Sequence, residues 1–360
     1  MKKILLLFAT LFTLAACVKP GDCVKCEDCV DPVDPPVEPT TPVVYVVGQR
    51  NLEHIEGDVI TTTIVATMWI DGVEHMLSET HSVANAVYVS ESDDVYAAGY
   101  ERTSGNNQVA TIWKNGEAEH LSNNTSGIYD IFVSEDGDVY AGGVEYVGLG
   151  NSFATVWVNG TAQRLSSDEF DSSVYYRSFV HSIFVVDGTV YAAGYVRGSG
   201  SSIAKLWVNG QEQTLSDGVL NVEATSVFVS DGDIYVAVVE GSGLLSLMKN
   251  GVEQFSHMGT TPWHIFVEGN DVYAAGTTTV GDNAVNGATL IKNGDVEFRS
   301  ENNSLVRNLF VFNGASYVVG FKLPDGQNPV AALWVDGVPQ ILPVDNPSTD
   351  FNMAHDVFVK

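Results

Sequence analysis

Basic residues are scarce. Lys and Arg total 17 against 45 Asp and Glu in 360 residues, a formal net charge of −28. Nucleic-acid surfaces are built from clustered Lys and Arg, so nucleic acid is excluded as a partner. Charged residues make up only 17% of the chain and hydrophobic ones 45%, which is too apolar for a disordered acidic chain. No cysteine lies beyond residue 29, which removes disulfides and thiolate chemistry from the bulk of the sequence. There is no H-E-x-x-H, no G-x-S-x-G and no phosphate-cradling G-x-x-x-x-G-K, so no catalytic motif, cofactor or metal is expected. Collagen-like, coiled-coil and multi-span membrane classes are excluded by composition.

What is present begins with an address. Lys2 and Lys3 precede an apolar run, Ile4 to Ala16, shorter than the roughly 20 residues a membrane-spanning helix needs. The run ends Leu14-Ala15-Ala16-Cys17, which resembles the lipobox of bacterial lipoproteins. The resemblance implies that residues 1–16 are a signal peptide, cut before a Cys17 that carries lipid and attaches the chain to a membrane. Val18, rather than Asp, implies outer-membrane sorting in that family, periplasm-facing or exposed on the cell. The mature chain then holds 15 basic and 45 acidic residues, a charge of −30. Residues 17–42 contain six prolines and six acidic residues with few large apolar ones, the composition of an extended tether. Within it Cys23, Cys26 and Cys29 lack a nearby fourth Cys or His ligand, so disulfide pairing or cross-linking is favoured over a metal site.

From residue 43 the chain repeats itself. Tyr45-Val46-Val47-Gly48 recurs as segments ending at Gly99, Gly143, Gly194, Gly276 and Gly320, with a variant around Tyr235. Each is followed by an apolar strand pattern closing on Asn-Gly or Asp-Gly: Trp69-Ile70-Asp71-Gly72, Trp113, Trp157, Trp207, Met248, Ile291 and Trp334 open the seven copies. Weaker blocks carry Leu77 and its counterparts, and an aromatic between aliphatics at Tyr88, Phe132, Phe184, Phe228, Phe266, Phe310 and Phe358. Alternating segments of four to six residues bounded by turn residues read as strands. Asn-Gly after an apolar strand signals a type I′ hairpin. Four strands in each of seven copies of about 45 residues is the arithmetic of a β-propeller.

The sequence therefore predicts an all-β fold over 43–360, a seven-bladed β-propeller of four-stranded antiparallel blades. The array begins without an aromatic strand and ends on a lone copy at Asp356-Val357-Phe358-Val359, so the C-terminal strand is expected to close the first blade. A ring closed within one chain is expected to be monomeric. The strand layout resembles that of kelch-type propellers. Those carry a paired glycine in the second strand, found here only at Gly142-Gly143, so kelch function does not carry over. The chain resembles more closely the repeat propellers in surface lipoproteins of gut-type bacteria, which implies display at the cell surface. Tryptophans 69, 113, 157, 207 and 334 read as blade packing, with Leu247 and Leu290 expected in their places in the other two repeats.

Connections from the inner aromatic to the next Tyr are near constant, and the Asn-Gly turns do not vary. Variation collects on the other face, at 49–64, 166–180 and 343–355, and binding chemistry sits on variable loops held by a rigid scaffold. On that face the residue three before each inner aromatic forms one ring: Asn85, Tyr129, His181, Thr225, Trp263, Arg307 and His355. Tyr175, Tyr176 and Arg177 are placed in the loop above His181. Such aromatics, with His and Arg, stack on sugars or clamp anionic and peptide groups; alternatively they plug the channel. The next column (Ala86, Asp130, Ser182, Ser226, His264, Asn308, Asp356) reads as structural, bonding leftover backbone of a neighbouring turn. The acidic turns at Asp93-Asp94, Asp136-Gly137-Asp138 and Asp231-Gly232-Asp233 offer too few oxygens for calcium and read as hairpins. The expected function is a binding or scaffold module for an extracellular glycan or protein. The alternative is a hydrolase or lyase of extracellular polysaccharide using Glu53, Glu56, Asp168, Glu169, Asp171 or Asp350 as acid and base.

Overall fold

The computed structural model describes residues 41–56, 59–148, 150–165, 176–258, 260–280, 285–300, 303–324, 328–343 and 351–360. Cys17, Cys23, Cys26, Cys29 and Tyr175 lie outside the described residues, as do Asp168, Glu169, Asp171 and Asp350. The compact unit runs from Pro42 to Lys360. It is all strand, and among its described residues no helix is long and apolar enough to cross a membrane.

The described residues form 28 strands in seven sets of four, each set paired antiparallel in the order inner, second, third, outer. The inner strands are Ser82–Val89, Ser126–Val133, Arg177–Val186, Val222–Ser230, Thr260–Glu268, Ser304–Phe312 and Asn352–Val359. The C-terminal one pairs with Val44–Glu56, whose set continues through Val59–Ile70 and Val73–Met76. The last strand thus completes the first blade. The third and fourth sets touch through a single parallel bridge, Ser152 to Arg177.

Local chemistry explains why each hairpin closes. All seven Asn-Gly or Asp-Gly turns hold both residues at positive φ, for example 52° and 85° at Asn115-Gly116, the type I′ geometry. In every copy the Asn or Asp side chain then accepts the N–H that begins the second strand, as Asn115 Oδ1 does from Val95 N at 2.9 Å. The Asn115 amide also donates to Asp94 at 2.8 Å, and Lys114 reaches the same carboxylate. This joins the two constant turns on one face. The Asn amide likewise donates to Asp138, Asp233 and Asp271, and Lys249 and Lys292 reach the latter two.

Blades are held to each other by packing and by a closed aromatic belt. Trp113 is fully buried against Val47, Ala66 and Met68 of the preceding blade, and Trp69, Trp157, Trp207 and Trp334 repeat that wedge. Register shows that the two remaining wedge places hold Met248 and Ile291, not Leu247 and Leu290. Those leucines point the opposite way, because side chains alternate along a strand. The seven inner aromatics touch in sequence: Tyr88, Phe132, Phe184, Phe228, Phe266, Phe310, Phe358 and back to Tyr88, with centroids 4.5–5.4 Å apart. Each such pair adds about 0.5–1.5 kcal/mol beyond area burial. A seven-membered belt that returns to its start is a closed ring.

The segment 49–64 is not a loop. Gln49 to Glu56 pairs with Val59 to Ala66 as a continuous hairpin arm, which departs from the sequence expectation. Its residues alternate without a turn signal until Gly57, so the ladder runs on past the end of the inner strand.

Candidate functional site

Every inner strand carries a β-bulge at the same place. Pairing skips Asn85, Tyr129, His181, Thr225, Trp263, Arg307 and His355, the residues three before each belt aromatic. A bulge adds one residue to a strand and re-aims its side chain. The glycine ending the second-strand block lies opposite. A Cβ on Gly48, Gly99, Gly143, Gly194 or Gly320 would sit 1.9–2.1 Å from an inner-strand carbonyl oxygen. Only a residue without Cβ tolerates that approach. The fifth set departs, with Val238 facing Ala224, and its bulged residue is the small Thr225.

The bulged residues converge. Asn85, Tyr129, His181, Thr225, Arg307 and His355 line one open cavity of about 370 Å³, with Gln49, Val83, Tyr100, Glu223, His264, Asp130 and Asn308 completing its wall. The backbone of Trp263 occupies the seventh bulge; its side chain lies outside the described residues. Tyr176 does not reach this cavity. Its ring packs on Phe153, at 5.7 Å, and its N–H donates to Asn151, so the segment before Arg177 is tied to the third strand of the neighbouring blade. Arg177 itself starts an inner strand.

Beneath the bulges the polar column clasps one blade to the next. Asp356 accepts from Val87 N at 2.7 Å and Val357 N at 2.8 Å; Asp130 accepts from Ile183 N and Ile131 N, both at 2.8 Å. Ser182 and Ser226 accept from Val227 N and Ile265 N. The partner is thus an inner-strand N–H of the following blade rather than a turn, because the bulge turns that N–H out of the ladder. Asn308 caps its own neighbour, Leu309 N, at 2.6 Å.

Burial sets the charges around the cavity. Loss of water raises Asp130 to about 6 and Asp356 well above the usual carboxylate range, the latter also through the nearby Asp130; the N–H bonds work against both shifts. Burial lowers His264 to about 4. It lowers His355 to about 3, with the Arg307 charge helping, so both imidazoles are neutral near pH 7. Arg307, lying over Phe321 at 5.8 Å, is a fixed cation of the wall. Glu223 holds its carboxylate 3.6 Å from His181 Nε2, an ion-pair distance too long for a hydrogen bond.

Glu223 and Tyr100 were invisible to a reading centred on the ring column. The signal for Glu223 is its place two residues before Thr225, which puts it just above the bulge. Of the carboxylates considered for acid–base work, Glu53 lies on the hairpin arm and is not part of the cavity wall. The side chain of Glu56 lies outside the described residues.

No family model matches the chain, and no curated protein is similar to it at a significant level. Solved structures do match. An acylaminoacyl peptidase in complex with Z-Gly-Gly-Phe-chloromethyl ketone superposes with TM-score 0.51 at 12% identity, over 83% of this chain and 51% of that one. The Pyrococcus horikoshii acylaminoacyl peptidase gives 0.50 at 14% identity, over 83% and 50%. The β-propeller domain of Cps50 (Swd1) from Myceliophteria thermophila gives 0.46 at 8% identity, over 75% and 92%. This chain spans about half the length of the peptidases it matches. At such identities the likeness is one of fold.

Proposed function

We propose that the protein is a lipid-anchored, cell-surface binding module that recognises an extracellular glycan or protein through the cavity lined by its bulged residues. One observation carries the reading. A backbone device repeated seven times brings the six described bulged side chains to a single opening, and the chemistry of those side chains differs from blade to blade. A packing requirement would have kept them alike, as it keeps the aromatic belt alike. Such a mixture of aromatic, amide, imidazole and guanidinium groups around a concave site is the make-up of a specific ligand pocket.

The N-terminal sequence supports display. A lipidated Cys17 followed by a proline-rich tether of 26 residues, at about 3.1 Å each when extended, gives a reach of roughly 80 Å. A domain held there meets polymers and proteins, and the closure of the ring by its own C-terminal strand lets it act as a monomer. A second reading, hydrolysis or elimination on polysaccharide, has in its favour the buried carboxyls Asp130 and Asp356 below the cavity. Both oxygens of each are taken by backbone N–H groups, so binding is the stronger reading.

The test has two arms. Fractionation of cells making the full chain should find it with the outer membrane, and Cys17→Ser should release it. The Pro42–Lys360 unit should retain a surface glycan or protein in an array and pull-down, and a Tyr129→Ala, Trp263→Ala double variant should lose about tenfold or more in affinity, roughly 1.4 kcal/mol. Full retention by a folded double variant would remove the ring from the account.

A further inference from the structure

The two sides of the cavity are chemically unlike. On one side Tyr129, 37% exposed, is braced by other rings: Phe179 at 6.1 Å and His181 at 6.0 Å. Tyr195 stands behind them, near-parallel to Phe179 at 5.3 Å and 5.6 Å from His181. A ring fixed by its neighbours is a stacking platform that loses little entropy on binding. In the order of the bulged ring, Tyr129 and Arg307 are three places apart one way and four the other, the largest separation a ring of seven allows. The far wall therefore carries Arg307, with His355 beside it.

We infer that the cavity takes the terminal ring of an acidic sugar, its carboxylate held at Arg307 and its C–H face laid on Tyr129. The inference rests on the binding reading above and names the class of ligand. A guanidinium fork matches a carboxylate bidentately, and charge-assisted hydrogen bonds are the strong ones. His264 and His355, both in the cavity wall and held neutral by burial, add no competing charge. The carboxylates Asp130 and Asp356 do not stand against an anion in the same way as free ones, because each is wrapped by two backbone N–H groups. Glu223 sets the orientation. It sits at the aromatic side next to His181, where it repels an acid group and accepts from sugar hydroxyls.

Size agrees. About 370 Å³ is at the small end of ligand sites, which run roughly 300–1,000 Å³, and suits one or two sugar rings rather than a long stretch of polymer. The net charge of −28 opposes the approach of any anion. Screening limits that field to about 8 Å at physiological ionic strength, so it slows encounter while the near wall decides affinity. A singly charged carboxylate suffers least from it.

The probes are oligosaccharides ending in glucuronate, galacturonate or sialic acid, each paired with its carboxyl-reduced alcohol. They are titrated against the Pro42–Lys360 unit and against Arg307→Met and Tyr129→Ala, with thermal melts as folding controls. The native unit should prefer one acid over its alcohol by about tenfold. Arg307→Met should shrink that preference to within about twofold, by weakening the acid more than the alcohol, and Tyr129→Ala should weaken acid and alcohol alike, by about tenfold. Should Arg307→Met fail to fold, Arg307→Lys keeps the charge, loses the fork and should lower the preference part-way. Equal binding of acid and alcohol, or a preference that survives at position 307, overturns the inference. A captured protein that Tyr129→Ala releases, with no glycan bound, also overturns it and leaves the binding reading standing. No ligand of either kind overturns both.

Discussion

Three residues apart on every inner strand lie two rings that obey opposite rules. The floor of the channel is six Phe and one Tyr in mutual contact at 4.5–5.4 Å. The mouth, on the same backbone, is Asn85, Tyr129, His181, Thr225, Trp263, Arg307 and His355. At the floor each side chain must fill the space between two others, so size and shape are imposed by neighbours. At the mouth the bulge sets a direction while the neighbours differ from copy to copy: Asn85 donates to Ile128 O, and Tyr129 leans on Phe179 and His181. Uniformity marks the positions that serve the fold; diversity at a geometrically repeated position is what the proposed binding role draws on.

The sharpest way to break this contrast is to open the floor ring. Deleting residues 352–360 removes Phe358 from the belt, the Asp356 clasp on Val87 and the Asn352 acceptor for Ala331 N. The expected result by circular dichroism is loss of a cooperative melt. A truncated protein melting at the parent temperature would mean that closure through that strand is unimportant.

Single substitutions compare the rings directly. Phe266→Ala, which cuts two belt contacts, should cost about 2–4 kcal/mol, below the full core range because the ring is half-buried. Tyr129→Ala at the mouth should cost about 1 kcal/mol or less. Denaturant titrations of both variants give the comparison, and equal costs would erase the distinction between floor and mouth.

A further comparison lies in the pH dependence. Unfolded histidine titrates near 6.5, whereas His264 and His355 are held at about 4 and about 3. Their contribution to stability is therefore lost as the pH falls from about 6.5 toward 4, since the unfolded chain takes up protons first. Asp130, raised to about 6, acts in the opposite sense, adding stability as the pH falls through 6 toward the ordinary carboxyl value of 3.8. Each proton is worth about 1.4 kcal/mol per pH unit, so between pH 6 and 4 Asp130, joined by Asp356 whose carboxyl burial also raises, opposes the loss from the two histidines. His264→Asn removes one of the losses. Relative to the native protein, it should gain roughly 2 kcal/mol between pH 7 and 4 in denaturant titrations. A difference that stays flat with pH would show that His264 is not held neutral by burial.

Much of the scaffold was legible because its signals are local. Asn115-Gly116 and its six counterparts announce a turn through the backbone freedom of two adjacent residues, and the structure holds all seven in that form. The column of mouth residues was also legible, as an offset from the aromatics. Its cause was not, although the trace was there: the glycine at 48, 99, 143, 194 and 320 is the imprint of a bulge on the facing strand. A reading confined to one strand at a time cannot see that a missing side chain answers a carbonyl across the ladder. The same limit misplaced 49–64 as a loop, since pairing between Gln49 and Ala66 is a property of two segments together. Tyr176 was assigned by its nearness in sequence to His181, and packs instead on Phe153.

The sequence by itself determined the strands, the turns, the sevenfold repeat and the closure at the C-terminus, because periodicity and turn chemistry are carried by neighbouring residues. Only the tertiary structure decided which side chains share the cavity, why Asp130 and Asp356 clasp the next blade, and that Tyr129 and Arg307 line one opening. Those relations join residues up to 270 positions apart, as His355 and Asn85 are, and they exist only once seven bulges point inward around a closed ring.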